Sequence, residues 1–230
     1  MTKILLTGAT GNVGLEVIHY LNELKPGAEF IAAAKNLDRA KKKLEFCHGI
    51  TYREFDFRNK DSFPLAFNGI DILFLLRPPG ISDIENVFQP LLKSARKSGI
   101  NKVVFLSVQG AEKSKIIPHN KIERLVTLSG FDYIFVRPSY FMQNLTSTLL
   151  PEILNRKTIT LPSGHAQFNW IDVKNIGEII SIFLLQFEKY KNQAYEISGS
   201  ENKNFEEVAS LITQATGKPI RFKNINSVSF

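Results

Sequence analysis

The sequence has a single cysteine among its 230 residues, Cys47. An internal disulfide framework is excluded, and so is a zinc centre built from several cysteines. No metal is expected, and a reducing, cytoplasmic setting is. Long apolar runs are also missing. The N-terminal run Ile4-Leu5-Leu6 is too short for a secretion signal. The most apolar stretch, Ile176 to Phe187, is interrupted by Glu178, Ser181 and Gln186. It is too short to span a bilayer, so no membrane role is expected. Zinc-finger spacing and aromatic RNA-binding signatures are absent as well. The charge balance is basic, 29 Lys and Arg against 22 Asp and Glu, a formal +7. Those charges are spread along the chain, apart from Lys35, Arg39, Lys41, Lys42 and Lys43 around Asp38. Charge without a recognition signature argues against a nucleic-acid partner.

What remains is ordinary globular composition, 43% hydrophobic and 22% charged. Apolar strands alternate with helical spacing over the first two thirds. Strands are expected at 3–7, 29–34, 51–55, 71–76, 102–107 and 131–136. Helices are expected at 12–24, 37–45, 61–67, 82–98 and 118–129, the first stopped by Pro26-Gly27. Strands apolar throughout and separated by helices indicate a parallel sheet covered on both faces, a doubly wound α/β fold of the Rossmann type. After Arg137-Pro138 the pattern loosens. Helices are expected at 145–155, 175–187 and 205–216, and strands at 157–161 and 193–198. Residues 1–144 therefore read as a dinucleotide-binding domain. Residues 145–230 read as a smaller α/β substrate region packed on the same sheet.

The clearest motif is Gly8-Ala9-Thr10-Gly11-Asn12-Val13-Gly14, between the first strand and the first helix. The first glycine permits a tight turn, the second lets backbone approach a pyrophosphate, and the third lets helix pack on strand. The anion then faces free N–H groups and the positive end of the helix dipole. Gly8, Thr10, Gly11, Asn12, Val13 and Gly14 are thus cofactor candidates. Cofactor choice falls to the end of the second strand, Ala34-Lys35-Asn36. A carboxylate there accepts from the ribose of NAD, whereas Lys35 offers a cation to the 2′-phosphate of NADP. NADP(H) is expected as the preferred cofactor, with NAD(H) as the alternative. Lysine is a point charge, so the preference is modest. Lys41, Lys42 and Lys43 read as a solvated helix face. Cys47 reads as structural.

The glycine loop is joined by Arg77-Pro78-Pro79, Phe105-Leu106-Ser107 and Pro118-His119 with Glu123. Further on come Arg137-Pro138-Ser139-Tyr140-Phe141-Met142-Gln143-Asn144 and Asn169-Trp170-Ile171-Asp172-Val173. In this order, over nearly the whole chain, these resemble the NmrA-like family of atypical short-chain dehydrogenases. That group includes type 2 NAD(P)H:quinone oxidoreductases. The resemblance implies Asp56 and Phe57 beside the adenine, unless Asp56 is a helix cap and Phe57 core. It implies Leu76 and Arg77 along the middle of the cofactor, with a solvated strand end as the alternative for Arg77. Ser107 and Pro138 are implied near the nicotinamide.

Ordinary short-chain dehydrogenases use a tyrosine and a lysine four residues apart, the tyrosine protonating the product alkoxide. Aligned on Glu123, those positions hold Lys115 and His119, so the pair is missing. Reduction of a quinone gives a phenolate-type anion, which takes its proton from water. Hydride transfer to a quinone-like or other conjugated small molecule is therefore expected, with His119 as a catalytic candidate acid or simply a helix-start residue. Tyr140, Phe141, Asn144, Phe168 and Trp170 are expected around a flat substrate, with ordinary packing as the alternative for some of them. The missing tyrosine equally fits a non-catalytic redox sensor that binds NAD(P) and regulates a protein partner.

Overall fold

A computed structural model describes residues 1–24 and 27–226. Pro26 of the expected Pro-Gly stop and residues 227–230 of the expected second region lie outside the described residues. In chain order the first elements are β1 (Thr2–Leu6), α1 (Asn12–Leu24), β2 (Ala28–Ala34), α2 (Leu37–Lys43), β3 (Thr51–Glu54) and α3 (Phe63–Phe67). Then come β4 (Ile72–Leu76), α4 (Gln89–Lys97), β5 (Lys102–Leu106), α5 (Pro118–Leu128) and β6 (Asp132–Pro138). They are followed by β7 (Tyr140–Phe141), α6 (Leu150–Arg156), β8 (Thr158–Leu161) and β9 (Phe168–Ile171). The last are α7 (Val173–Leu185), α8 (Phe187–Tyr190), β10 (Gln193–Ile197), β11 (Asn202–Lys203), α9 (Phe205–Thr216) and β12 (Arg221–Asn224).

The chain divides into two compact units. Residues 1–138 and 173–197 form the larger, and 139–172 with the chain from 198 onward the smaller. The expected single boundary at 144 is thus replaced by an interleaved path. The cause is β10, which returns to pair with β6 from Gln193 opposite Ile134 to Ile197 opposite Pro138.

The larger unit is built on one seven-stranded sheet, order β10-β6-β5-β4-β1-β2-β3. Every pairing in it is parallel, so the doubly wound α/β fold is what the strand pattern produces. Leu5, Ile31, Leu73, Val103 and Phe105 are fully buried in the sheet, under Phe67, Phe88, Leu92 and Val126 from the helices. Strand order reverses between β1 and β4, where ligands of such sheets bind. Thr7 ties that point together. Its hydroxyl donates to the carbonyl of Phe74 (2.9 Å) and accepts from the N–H of Leu76 (2.9 Å).

α7 packs closely on α1. A Cβ at Gly177 would lie 2.6 Å from Cβ of Glu16, and the Ser181 hydroxyl donates to the carbonyls of Gly177 (2.7 Å) and Val17 (3.2 Å). The serine interrupting the most apolar stretch is therefore a buried, satisfied contact between two helices. No helix among the described residues is long and apolar enough to cross a membrane.

The smaller unit has a three-stranded sheet, β11-β9-β7, and a parallel pair, β12 with β8. Its core gathers Ile159, Trp170, Phe205, Val208 and Ile220. α9 begins with a capping box, Asn204 to Glu207, and ends at Gly217 with φ 68°, the two signals that delimit a helix most sharply. Two expected helices begin late. Residues 84–88 form a π-helical turn before α4. Pro90 has no N–H to give to residue 86, so an α-helical ladder cannot run through that point. The helix expected from 145 starts at Leu150, because Pro151 has no N–H for residue 147 and is tolerated only in a first turn.

Candidate functional site

The glycine loop connects β1 to α1 as its spacing requires. Gly8 has φ +64°, a left-handed conformation that glycine adopts without strain. Its carbonyl accepts from the N–H of Gly11 (2.9 Å), and the first helical bond runs from Leu15 to the carbonyl of Gly11 (2.9 Å). The N–H groups of Asn12, Val13 and Gly14 precede that bond and belong to the donor-rich helix start. A Cβ at Gly14 would meet Gly8 and Ala9 backbone, and one at Gly8 would lie 2.9 Å from the Leu76 side chain. The loop is therefore a cradle closed to side chains, and Leu76 is packed on it. These features fit a pyrophosphate at the helix N-terminus.

A cavity of about 470 Å³ opens beside the loop, lined by Gly8, Thr10, Ala33, Ala34, Lys35, Asn36, Arg39, Phe55, Asp56 and Phe57. It brings together residues expected at the two ends of an adenosine-binding groove. Lys35 is not a free cation in it. Its ammonium lies 2.7 Å from Oδ2 of Asp56, and this neighbour holds the Asp56 carboxyl below the usual carboxylate range. Asp56 Oδ1 accepts from the N–H of Arg58 (3.0 Å). Asp56 does not cap the following helical turn; Asn59 does, accepting from the N–H of Asp61 (3.1 Å). Phe57 is both cavity wall and core, packed edge-on against Phe55 at 4.9 Å.

Arg77 and His119 come together, but not as a ligand-facing cation and an acid. The Arg77 guanidinium donates to carbonyls of Pro78 (3.2 Å), Pro79 (3.2 Å) and Ile81 (2.7 Å), so it clamps the loop after β4. Its Nε donates to Nε2 of His119 (3.3 Å). An accepting Nε2 carries no proton, so the ring is neutral with its proton on Nδ1. Burial, with the Arg77 charge beside it, pushes the His119 pKa down from 6.5 to about 4. The arrangement favours a neutral ring, stacked on Phe105, over an imidazolium at neutral pH.

A pH dependence follows. In the unfolded chain His119 takes up a proton near pH 6.5, and in the folded chain only near 4. The stability that comes with the neutral ring is complete above about 6.5 and is lost as pH falls toward 4. Thermal unfolding of wild type between pH 7 and 4.5 is expected to show a steeper decline than His119→Gln. Equal slopes would mean that His119 is not buried neutral.

Ser107 and Pro138 end β5 and β6. Ser107 is 1% exposed, and its hydroxyl donates to Oε1 of Glu123 (2.6 Å). Glu123, 5% exposed, also accepts two bonds from Arg137, Nε to Oε1 (3.0 Å) and Nη2 to Oε2 (2.6 Å). The other arm of Arg137 lies 2.9 Å from Glu112, and Glu123 foremost holds the Arg137 pKa above its usual value. The Ser107 hydroxyl is committed to this network. Pro138 is buried, and its carbonyl accepts from Gln109 (3.0 Å).

In the smaller unit, Tyr140, Phe168 and Trp170 share one aromatic cluster with Phe205. Tyr140 stands 4.9 Å from Trp170 and 5.5 Å from both Phe168 and Phe205. Trp170 is 5% exposed, and its indole donates to the carbonyl of Lys203 (3.0 Å). Trp170 is core, and its expected place around a substrate is withdrawn. Tyr140 and Phe168 are half-buried against that core. Burial raises the Tyr140 pKa while a bond to Asn144 opposes the rise. Phe141 and Asn144 are partly exposed.

The family model described as the NmrA-like family matches residues 1–230. The chain belongs to the NmrA-like family. It is 31% identical over 223 residues to prestalk A differentiation protein A of Dictyostelium discoideum, covering 97% of this chain and 72% of the relative. It is 28% identical to an NAD(P)H azoreductase of Xenophilus azovorans, covering 95% of this chain and 76% of that one. The solved structure of an NADPH-dependent quinone oxidoreductase from Escherichia coli, complexed with NADPH, superposes with a TM-score of 0.84. The identity there is 20%, covering 99% of this chain and 80% of that one.

Two members of the basic cluster around Asp38 in this NmrA-like chain, expected to add to the field at the phosphate through Arg39 and one of Lys41 to Lys43, are located by the structure. Lys43, read as solvated, reaches back over 33 residues to donate to the Thr10 carbonyl of the glycine loop (3.0 Å). Arg39 faces the cavity and has no ion-pair partner among the described residues.

Proposed function

We propose that this protein is an NADP(H)-binding oxidoreductase acting on quinone-like or other conjugated small molecules. The observation that carries the reading is the cavity that unites the glycine cradle with Lys35 and Arg39. The N–H groups of Asn12, Val13 and Gly14 would hold the pyrophosphate. Lys35 and Arg39 would face the 2′-phosphate, Asp56 and Phe57 the adenine, and Leu76 the middle of the nucleotide. Bound NADPH supplies a hydride equivalent. Ser107 and Pro138 shape the strand ends next to it, Ser107 through its neighbours and not through its committed hydroxyl. Neutral His119 and the Arg77 clamp fix the loop after β4. No side chain is assigned as proton donor, consistent with an acceptor whose reduced form takes its proton from water. Similarity to an azoreductase and a quinone oxidoreductase supports that acceptor class. Tyr140, Phe141, Asn144 and Phe168 are the substrate-side candidates that remain. A cytoplasmic setting belongs to this reading and rests on the single, buried Cys47.

The test is a fluorescence titration with NADPH and NADH, followed by addition of menadione. NADPH is expected to bind more tightly than NADH. Lys35→Glu is expected to weaken NADPH by roughly tenfold or more, since it reverses a charge near the phosphate. Menadione should then drive NADPH oxidation. Binding without oxidation would favour the second reading, a redox sensor acting on a protein partner, which the neutral His119 supports. No binding of either nucleotide would overturn both.

A further inference from the structure

The ion pair inside the cavity carries an inference about selectivity, which rests on the cofactor reading above. Among the described residues, Asp56 is the only acid lining the cavity, and Lys35 and Arg39 are the cations. Lys35 and Asp56 are in contact at 2.7 Å, and the two members are unequal. The Lys35 side chain is 77% exposed and that of Asp56 21%. Asp56 is also fixed by its own turn. Its Oδ1 accepts from Arg58 (3.0 Å), and its N–H is held by the Ser62 hydroxyl (3.1 Å). The carboxylate therefore stays in place, while the lysine, on a flexible stem in water, is free to change partner.

We propose that Asp56 is a specificity-determining residue that opposes Lys35, keeping the cavity open to both NADPH and NADH. The carboxylate, 2.7 Å from the ammonium that would serve a 2′-phosphate, repels that phosphate. While Lys35 stays on Asp56, its charge is neutralised and Arg39 is the cation left for a phosphate. When Lys35 turns to a phosphate, a bare carboxylate remains beside a second anion. In either arrangement part of the attraction of the two bases is offset. A sequence carrying a lysine at the end of β2 thus has a weaker NADPH preference than that lysine alone would confer.

The experiment measures dissociation constants of NADPH and NADH by nucleotide fluorescence for the full chain and three variants: Asp56→Asn, Lys35→Ala and the two combined. Asp56→Asn is expected to raise the NADPH:NADH affinity ratio about fivefold, the effect of one screened charge at this range. Lys35→Ala is expected to turn the ratio toward NADH by about tenfold, because it both removes a cation and uncovers the anion. The double variant is expected to regain NADPH binding relative to Lys35→Ala. The Asp56→Asn gain should shrink when salt rises from about 0.05 to 0.5 M, which a purely structural role would not produce. Asp56→Ser keeps an acceptor for the Arg58 N–H and replaces Asp56→Asn if that variant does not fold. An unchanged ratio in the Asp56 variants, or a double variant no better than Lys35→Ala, overturns the proposal while wild-type binding leaves the cofactor reading intact. Wild type that binds neither nucleotide overturns both.

Discussion

Gly14→Ala is expected to abolish tight nucleotide binding and to lower stability together. The added Cβ would fall on the Gly8 carbonyl oxygen, 2.8 Å from its carbon and 2.9 Å from Cα of Ala9. All three atoms are backbone, so no side chain can swing away. Relief requires the Gly8 peptide to move, and that peptide accepts the Gly11 N–H that closes the loop. Overpacking of this kind costs about 1–3 kcal/mol. Losing two charge-assisted donors to a phosphate weakens binding by roughly a hundredfold or more. Gly11→Ala is a control for stability on the same loop, since its Cβ would lie 3.3 Å from the Gly8 oxygen and the loop need give only slightly, while its binding should still weaken because the second glycine admits the pyrophosphate. NADPH titration and thermal unfolding of both variants check the difference. A Gly14→Ala protein with wild-type affinity would refute the cradle.

The second large effect belongs to Glu123. Its carboxylate is almost fully buried and receives three bonds, one from Ser107 and two from Arg137. Removing one partner of a buried ion pair leaves the other desolvated, which costs about 3–5 kcal/mol. Arg137 keeps Glu112 on its outer side, which places Glu123→Ala toward the lower end of that range. For a chain of this size the loss corresponds to a fall of about 10 °C in Tm. Glu123→Gln keeps the shape and one acceptor oxygen and is expected to fall between wild type and alanine. Urea or thermal unfolding of the two variants measures this, and a loss below about 1 kcal/mol would mean that water reaches the network.

The parts of this molecule that sequence alone made legible are those in which a local rule has a local consequence. Gly8, Gly11 and Gly14 obey backbone sterics within seven residues, so their spacing, set between a strand and a helix, identified the loop. α9 was bounded correctly because Asn204 and Gly217 carry the cap signals at its two ends. The short strands β7, β9, β11 and β12 were missed, since two to four residues cannot display an alternating pattern. Proline explains the misplaced starts near Ile84 and Leu145, where apolar spacing continued through positions that an α-helical ladder could not cross. What the sequence left open at the site depends on partners far along the chain. Arg77 looked like a ligand-facing charge after an apolar strand, yet its donors serve its own loop and His119. Lys35 keeps its place at the cavity, but its ion pair with Asp56, 21 residues away, cannot be read from spacing. Trp170 is core because Phe205 and the Lys203 carbonyl meet it in three dimensions.

The interleaved chain path has a consequence for how the protein is made. During synthesis β6 emerges with one edge unpaired, and its partner β10 follows only after residues 139–172 have been added. Until then the larger unit also lacks α7, so the α1 surface against which Gly177 and Ser181 close is uncovered. A nascent chain ending near residue 144 therefore exposes both an open strand edge and an apolar helix face, the features that promote aggregation of incomplete folds. Completion of the larger unit waits for sequence that lies beyond the whole of the smaller unit's first segment. A fragment cut at 144 would be an unfinished sheet and not an independent domain.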